Sequence, residues 1–253
     1  MFLRLAALIV LVLASSAPVA AQSAPAASTL SEAQQQEIRE IVKQYLIANP
    51  SVVNEVLESH ETWKAEEEAR KQADIIQANL SRFITSGRTP VLGNPQGDVT
   101  VIEFSDYNCG YCRAVAPALE QLVKNDGKIR LVIREYPILG NESVEAAKIA
   151  LAAGMQGKYT ELHNKVMDGD GQADEATMIR AANQLGLDIT KLRSDAESPA
   201  TEAEIRESYA LARDLDINGT PAFIIGNRLF PRAISLEDMA KAVEEARKAN
   251  NPQ

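Results

Sequence analysis

Cysteine occurs only twice in this chain of 253 residues, and both copies fall within four positions, Cys109-Gly110-Tyr111-Cys112. A disulfide closing so short a loop removes little entropy from the unfolded chain. The pair is therefore poorly suited to stapling a fold and well suited to thiol exchange. Its neighbourhood constrains the fold. Asp98 to Ser105 reads as a strand, and Cys109 to Asn125 reads as a helix that starts at the first cysteine. A thiol at a helix N-terminus faces unpaired N–H groups and the positive end of the helix dipole. Both lower its pKa from a free value of about 8.5. Cys109 is accordingly the expected nucleophile. Cys112, one turn further in, is the expected resolving thiol that attacks the mixed disulfide. The rival use of C-x-x-C is half of a tetrahedral zinc site. The two histidines, His60 and His163, each lie about fifty residues away on predicted helices, so no metal is expected.

The chain begins with a pattern for export. Arg4 precedes an unbroken apolar run from Leu5 to Leu13, and Val19-Ala20-Ala21 supplies small residues for cleavage. Residues 1–21 read as a signal peptide cut near Ala21, because the apolar run is short for a membrane anchor. An exported chain meets an oxidising compartment, the periplasm on this reading. The remainder has an ordinary globular composition, and its formal charge of −9 argues against a nucleic-acid partner.

Residues 22–88 read as a helical region. Ser31 and Gln34 have the spacing of a capping box, and Ile38, Ile41, Val42, Tyr45 and Leu46 form one apolar stripe. Asn49-Pro50 interrupts it, and a long second helix is expected from Pro50 to Phe83. Ala69, Ala73, Ile76, Leu80 and Phe83 recur at heptad-like spacing along it. Two readings stand: packing on its own domain, or an oligomerisation stalk. Ser86-Gly87-Arg88-Thr89-Pro90 marks the domain boundary. From there the pattern alternates. A second strand is expected over Lys128 to Tyr136, several helices from Ser143 to about Leu215, strands at Pro221–Gly226 and Asn227–Phe230, and a last helix from Leu236 with Ser235 as its N-cap.

Two further positions bear on the chemistry. Glu103 lies six residues before Cys109 and shares a strand face with Val99 and Val101. Under a covering helix, its carboxyl would be desolvated beneath the Cys pair and able to pass protons during exchange. The alternative is a strand-end carboxylate reaching solvent. Thr220-Pro221 opens a strand, as a plain turn or as a cis peptide. Phosphate loops, HExxH and GxSxG are absent. Asp168-Gly169-Asp170 starts like a calcium loop, but Ala173 and Ile179 occupy the turn-glycine and bidentate-glutamate positions.

Glu103-Phe104-Ser105-Asp106-Tyr107-Asn108-Cys109-Gly110-Tyr111-Cys112, followed downstream by Gly219-Thr220-Pro221-Ala222-Phe223, resembles the DsbA-like thiol–disulfide oxidoreductases over roughly residues 90–250. The resemblance implies an α/β thioredoxin fold over residues 89–253, with a helical domain inserted at about 140–216. It implies that Thr220-Pro221 is cis, faces the Cys pair and helps bind an extended substrate, alongside Gly110 and Tyr111. It also implies that Glu103 is the family's buried acid. Tyr45-Leu46-Ile47-Ala48-Asn49-Pro50 resembles the leader of the ScsC-type subgroup, which implies a homodimer or homotrimer through residues 29–85 and a leaning to disulfide isomerisation or reduction. The expected cofactor is none beyond the redox-active Cys109–Cys112 disulfide. The expected partners are cysteine-containing exported proteins and a membrane protein that resets the pair. The dipeptide between the cysteines contains no histidine to stabilise the thiolate, so a pair less oxidising than DsbA's, at about −120 mV, is expected. A DsbA-like oxidase and a chaperone with an incidental Cys pair are the competing functions.

Overall fold

The computed structural model describes residues 30–84 and 88–250. The expected signal peptide and the Ser86-Gly87 part of the boundary lie outside them. The described residues divide into two compact units, the first ending at Ser59 and the second beginning at His60. The division falls inside a helix rather than at the boundary expected near residue 88.

In the first unit, α1 (Glu32–Ala48) starts with the expected capping box: the Gln34 N–H donates to the Ser31 hydroxyl, and the Gln34 side chain accepts from the Ser31 N–H. Asn49 closes the helix, and α2 (Pro50–Ile84) follows at once. None of the residues of α1 is buried, and Ile38, Ile41, Val42, Tyr45 and Ile47 stand exposed.

The second unit is built on a five-stranded sheet ordered β1-β3-β2-β4-β5. Its centre is β2 (Val99–Ser105), parallel to β3 (Ile129–Glu135), with α3 (Gly110–Asp126) crossing between them. Parallel neighbours need such a crossover. β4 (Ala222–Ile225) runs antiparallel to β2 and turns at Gly226 into β5 (Arg228–Phe230). Between β3 and β4 stand α4 (Asn141–Met155), α5 (Tyr159–Met167), α6 (Glu175–Gln184), α7 (Ile189–Ala196) and α8 (Pro199–Asp214), the expected insertion. α9 (Leu236–Asn250) follows, with Ser235 Oγ accepting from the Asp238 N–H.

Strand alternation sorts the two sheet faces. Val99, Val101, Leu131, Ile133 and Phe223 pack with α3, α9 and the insertion. Ile102, Phe104, Val132 and Ile224 pack with Leu211 and Leu215 of the α8 region and with Ile76 and Phe83 of α2. Ile76 and Phe83 are wholly buried, so this end of the heptad-like seam packs on its own domain. That packing is why His60–Ile84 belongs to the second unit.

The sequence reading did not anticipate β1 (Val91–Gly93), an antiparallel edge strand on β3. Three residues are too few to show a period. Gly93 has φ +71°, and a side chain there would collide with Val123 and the Ile129 carbonyl.

Candidate active site

Cys109 is the N-cap of α3 and is 6% exposed; Cys112, in the first turn, is wholly buried. Both are free thiols. Thr220-Pro221 is a cis peptide, and Cys109 Sγ lies 3.1 Å from the Thr220 carbonyl, to which the thiol donates. β4 begins at the next residue and pairs with β2, which is how the sheet carries this loop to the Cys pair. The Cys109 thiol is pulled down to about 5, first by a hydrogen bond from the Cys112 thiol, then by the Thr220 side chain and the N–H groups of Cys112 and Tyr111. Cys112 is pushed far up, because it gives its hydrogen bond to Cys109 and is buried. The two thiols are therefore unequal: Cys109, at the head of the helix, is ionised at neutral pH, while Cys112 is protonated and fully enclosed. That inequality is what an attacking and a resolving cysteine require.

Glu103 faces the α3 side of the sheet, as alternation predicts, and is 1% exposed. Burial raises its pKa to about 7, with the Cys109 charge adding to the shift. Its Oε1 finds no hydrogen-bond partner among the described residues. It lines a cleft of about 560 Å³ whose apolar walls include Leu119, Val123, Leu131 and Met167. The strand-end alternative for Glu103 is thereby replaced by the buried one. Gly110 and Tyr111 flank the thiols differently. A side chain at Gly110 would meet only open space, and Tyr111 is 73% exposed. Both are accessible to a docking chain.

Sequence reasoning missed how the Cys109 loop is fastened. Asp106 is buried and accepts from the N–H groups of Asn108, Ile138 and Leu139 and from the Ser143 hydroxyl. Asn108 donates to Ser143 Oγ and the Ala173 carbonyl and accepts from the Ala173 N–H. The turn before the nucleophile is thus tied to the insertion. Asp and Asn before a helix read as ordinary turn formers, so nothing in the pattern showed these distant partners. Also missed was a buried cluster of Tyr107, Glu135, Tyr159 and His163. The argument that found Glu103 finds Glu135 as well, since it ends an apolar strand on the face of Leu131 and Ile133. His163, weighed as a zinc ligand, is instead a buried member of this cluster.

Residues 100–244 match the family described as the DSBA-like thioredoxin domain. This chain belongs to that family. Residues 34–67 match the N-terminal domain of the copper resistance protein ScsC. Among solved structures, a thioredoxin-like oxidoreductase from Silicibacter pomeroyi is 45% identical, covering 66% of this chain and 97% of that one, with a TM-score of 0.65. The thiol-disulfide exchange protein alpha-DsbA2 from Wolbachia pipientis is 32% identical over 70% of this chain and 96% of its own, also at 0.65. Proteus mirabilis ScsC, at 24% identity, shares the fold over 88% of this chain and 99% of its own, with a TM-score of 0.63. The chain spans about a quarter of the length of the first curated relatives it matches, such as a Na(+)/H(+) antiporter of Salinispora arenicola, where 30% identity covers 25% of that protein. The DsbA-like family of thiol–disulfide oxidoreductases thus includes this chain, with the thioredoxin fold and ScsC-type N-terminal region expected from its motifs.

Proposed function

We propose that this chain is an exported thiol–disulfide oxidoreductase that works in the periplasm on cysteines of other exported proteins, as a disulfide isomerase or reductase. The observation that carries the reading is the pairing of an ionised Cys109 at the head of α3 with a protonated, enclosed Cys112 beside the cis Thr220-Pro221 loop. Cys109 attacks a substrate disulfide, and the Thr220-Pro221 segment, Gly110 and Tyr111 hold the substrate chain. Cys112 resolves the mixed disulfide, giving its proton to Glu103. The only cofactor in this scheme is the redox pair itself, and a membrane partner returns it to the dithiol.

The isomerase direction is supported by α1. Its apolar side chains stand exposed in a single chain, and exposed apolar stretches of this kind mark interaction surfaces. A homodimer or homotrimer formed through residues 29–85 would cover them and bring several Cys pairs to one substrate. A DsbA-like oxidase is favoured instead by the depressed Cys109 pKa, since a stable thiolate makes an oxidising pair.

Recovery of a scrambled multi-disulfide protein in a reducing glutathione buffer tests the proposal, with Cys109→Ser as the blank. Cys109-dependent recovery is expected. No recovery, with fast oxidation of a reduced substrate by the disulfide form, would make it an oxidase. Neither activity would leave the binding reading.

A further inference from the structure

The sheet face beneath the Cys pair buries a second acid besides Glu103. Glu135 ends β3 in register with Ser105, two residues beyond the Glu103–Ile133 pair. The two carboxyls therefore lie diagonally across neighbouring parallel strands on one face, at 1% and 2% exposure. Arg134, between Ile133 and Glu135, points to the other face and pairs with Glu204 of α8. The groups around Glu135 come from three elements: Glu103 from β2, Asp106 and Tyr107 from the loop after it, and Tyr159 and His163 from α5. The hydroxyls of Tyr107 and Tyr159 both donate to Glu135 Oε1, at 3.2 and 2.5 Å. Both also lie against His163 Nδ1, at 3.0 and 3.4 Å. Burial holds the His163 pKa down to about 4, so its ring is neutral at pH 7. From α3, the exposed Glu120 and Lys124 line the cleft that Glu103 and His163 share. No buried cation offsets the two acids on this face among the described residues.

We infer that Glu135 is a positioning residue for the thiol chemistry: held by Tyr107, Tyr159 and His163, it acts through Glu103, so that the two carboxyls carry one negative charge between them beneath Cys112. Like charges so buried do not both ionise readily. Burial raises Glu103 to about 7 and Glu135 to about 8, and the Glu103 charge is among the causes at Glu135. While Glu103 is ionised, its charge opposes a second ionisation, and a protonated Glu135 keeps that charge tolerable.

The inference rests on the exchange reading above. In the resolving step, the Cys112 thiol passes its proton to the Glu103 carboxylate, and the Cys112 sulfur forms a bond to Cys109 Sγ. The bond from Cys109 to the substrate sulfur breaks, and the substrate leaves as a thiolate that is protonated from solvent. The Cys pair is oxidised and the substrate disulfide reduced. Above the pH at which Glu135 also ionises, two negative charges sit beneath Cys112 and its thiolate becomes harder to form. The cluster thus caps the rate in alkali.

The test is the pH profile of oxidation of the reduced protein by oxidised glutathione, at concentrations where resolution by Cys112 limits the rate, with Cys109→Ser as the blank. The wild-type rate should rise through about pH 7 and fall again above about pH 8. Glu135→Gln should follow it below pH ~7 and then hold level, ending on the order of tenfold higher at pH ~9. Tyr159→Phe removes a donor that lowers the Glu135 pKa, so the alkaline fall should move to higher pH, a shift that a purely structural role would not give. Profiles of one shape for all three proteins, differing only by a constant factor, overturn the inference and leave the exchange reading intact. Absence of Cys109-dependent oxidation in the wild type overturns both.

Discussion

The two faces of the β2–β3 sheet bury charge in opposite ways. On the α8 side, Arg134 is sealed with Glu204, and the Thr89 hydroxyl bonds to the same pair. On the α3 side, Glu103 and Glu135 are buried with no cation beside them among the described residues. A buried ion pair offsets much of its own desolvation and need do nothing beyond joining elements. The two acids have no counter-charge, only the Tyr107 and Tyr159 hydroxyls on Glu135, and burial raises both pKa values. The first arrangement ties Thr89, at the start of the domain, to the insertion. The second is the one that the proposed exchange chemistry uses. The residues alternate along one strand, Ile133, Arg134, Glu135, yet their burial serves different ends.

The largest expected effect lies on the chemical face. Cys109→Ser should abolish disulfide exchange while leaving the fold intact, as read by circular dichroism beside a turnover assay; retained turnover would break the assignment. On the structural face, Glu204→Gln strands the buried Arg134 guanidinium. A loss of about 3–5 kcal/mol in denaturant unfolding is expected, with unchanged activity per folded molecule. A cost under about 1 kcal/mol would show that the pair is dispensable.

In the oxidised protein, where Cys109 does not titrate, the buried acids and His163 make stability depend on pH. Glu103 and Glu135 have folded pKa values raised by burial to about 7 and 8. Their contribution to stability is complete below the unfolded carboxyl value of about 4.3 and is lost as pH rises through the folded values. His163 is lowered to about 4, so it adds stability with rising pH up to its unfolded value of about 6.5. Between about pH 6.5 and 8.5 only the acids remain, and stability should fall by a few kcal/mol. Glu103→Gln and Glu135→Gln should each flatten that fall. No change over this window would mean the carboxyls are already ionised in the fold. The smallest effect is on rate: Glu103→Gln should slow resolution about 10- to 100-fold without moving the Cys109 reaction with a small alkylating reagent.

Much of this contrast was legible in the sequence. Cys109, Cys112 and Glu103 were placed by local pattern, because a strand period, a helix start and a cysteine spacing are short-range signals. The helices and the central strands followed from the same periodicities. The Asp106 and Asn108 anchors, the Arg134–Glu204 pair and the Tyr107–Glu135–Tyr159–His163 cluster were not placed. Most of their partners lie between 24 and 70 residues apart along the chain, and only the folded insertion brings those together. The seam on α2 shows the same limit from the other side. Heptad-like spacing at Ile76, Leu80 and Phe83 is equally satisfied by a second chain or by the flat face of a sheet, and here the sheet covers it.

The central claim, that Cys109 at the head of α3 is an ionised nucleophile paired with a protonated Cys112, is tested most directly by titrating the ultraviolet thiolate absorbance of the reduced protein. One thiolate should appear with a midpoint near about 5 and vanish in Cys109→Ser, with no second thiolate at neutral pH. A first midpoint near the free-cysteine value of about 8.5, or a low midpoint surviving in Cys109→Ser, would contradict it.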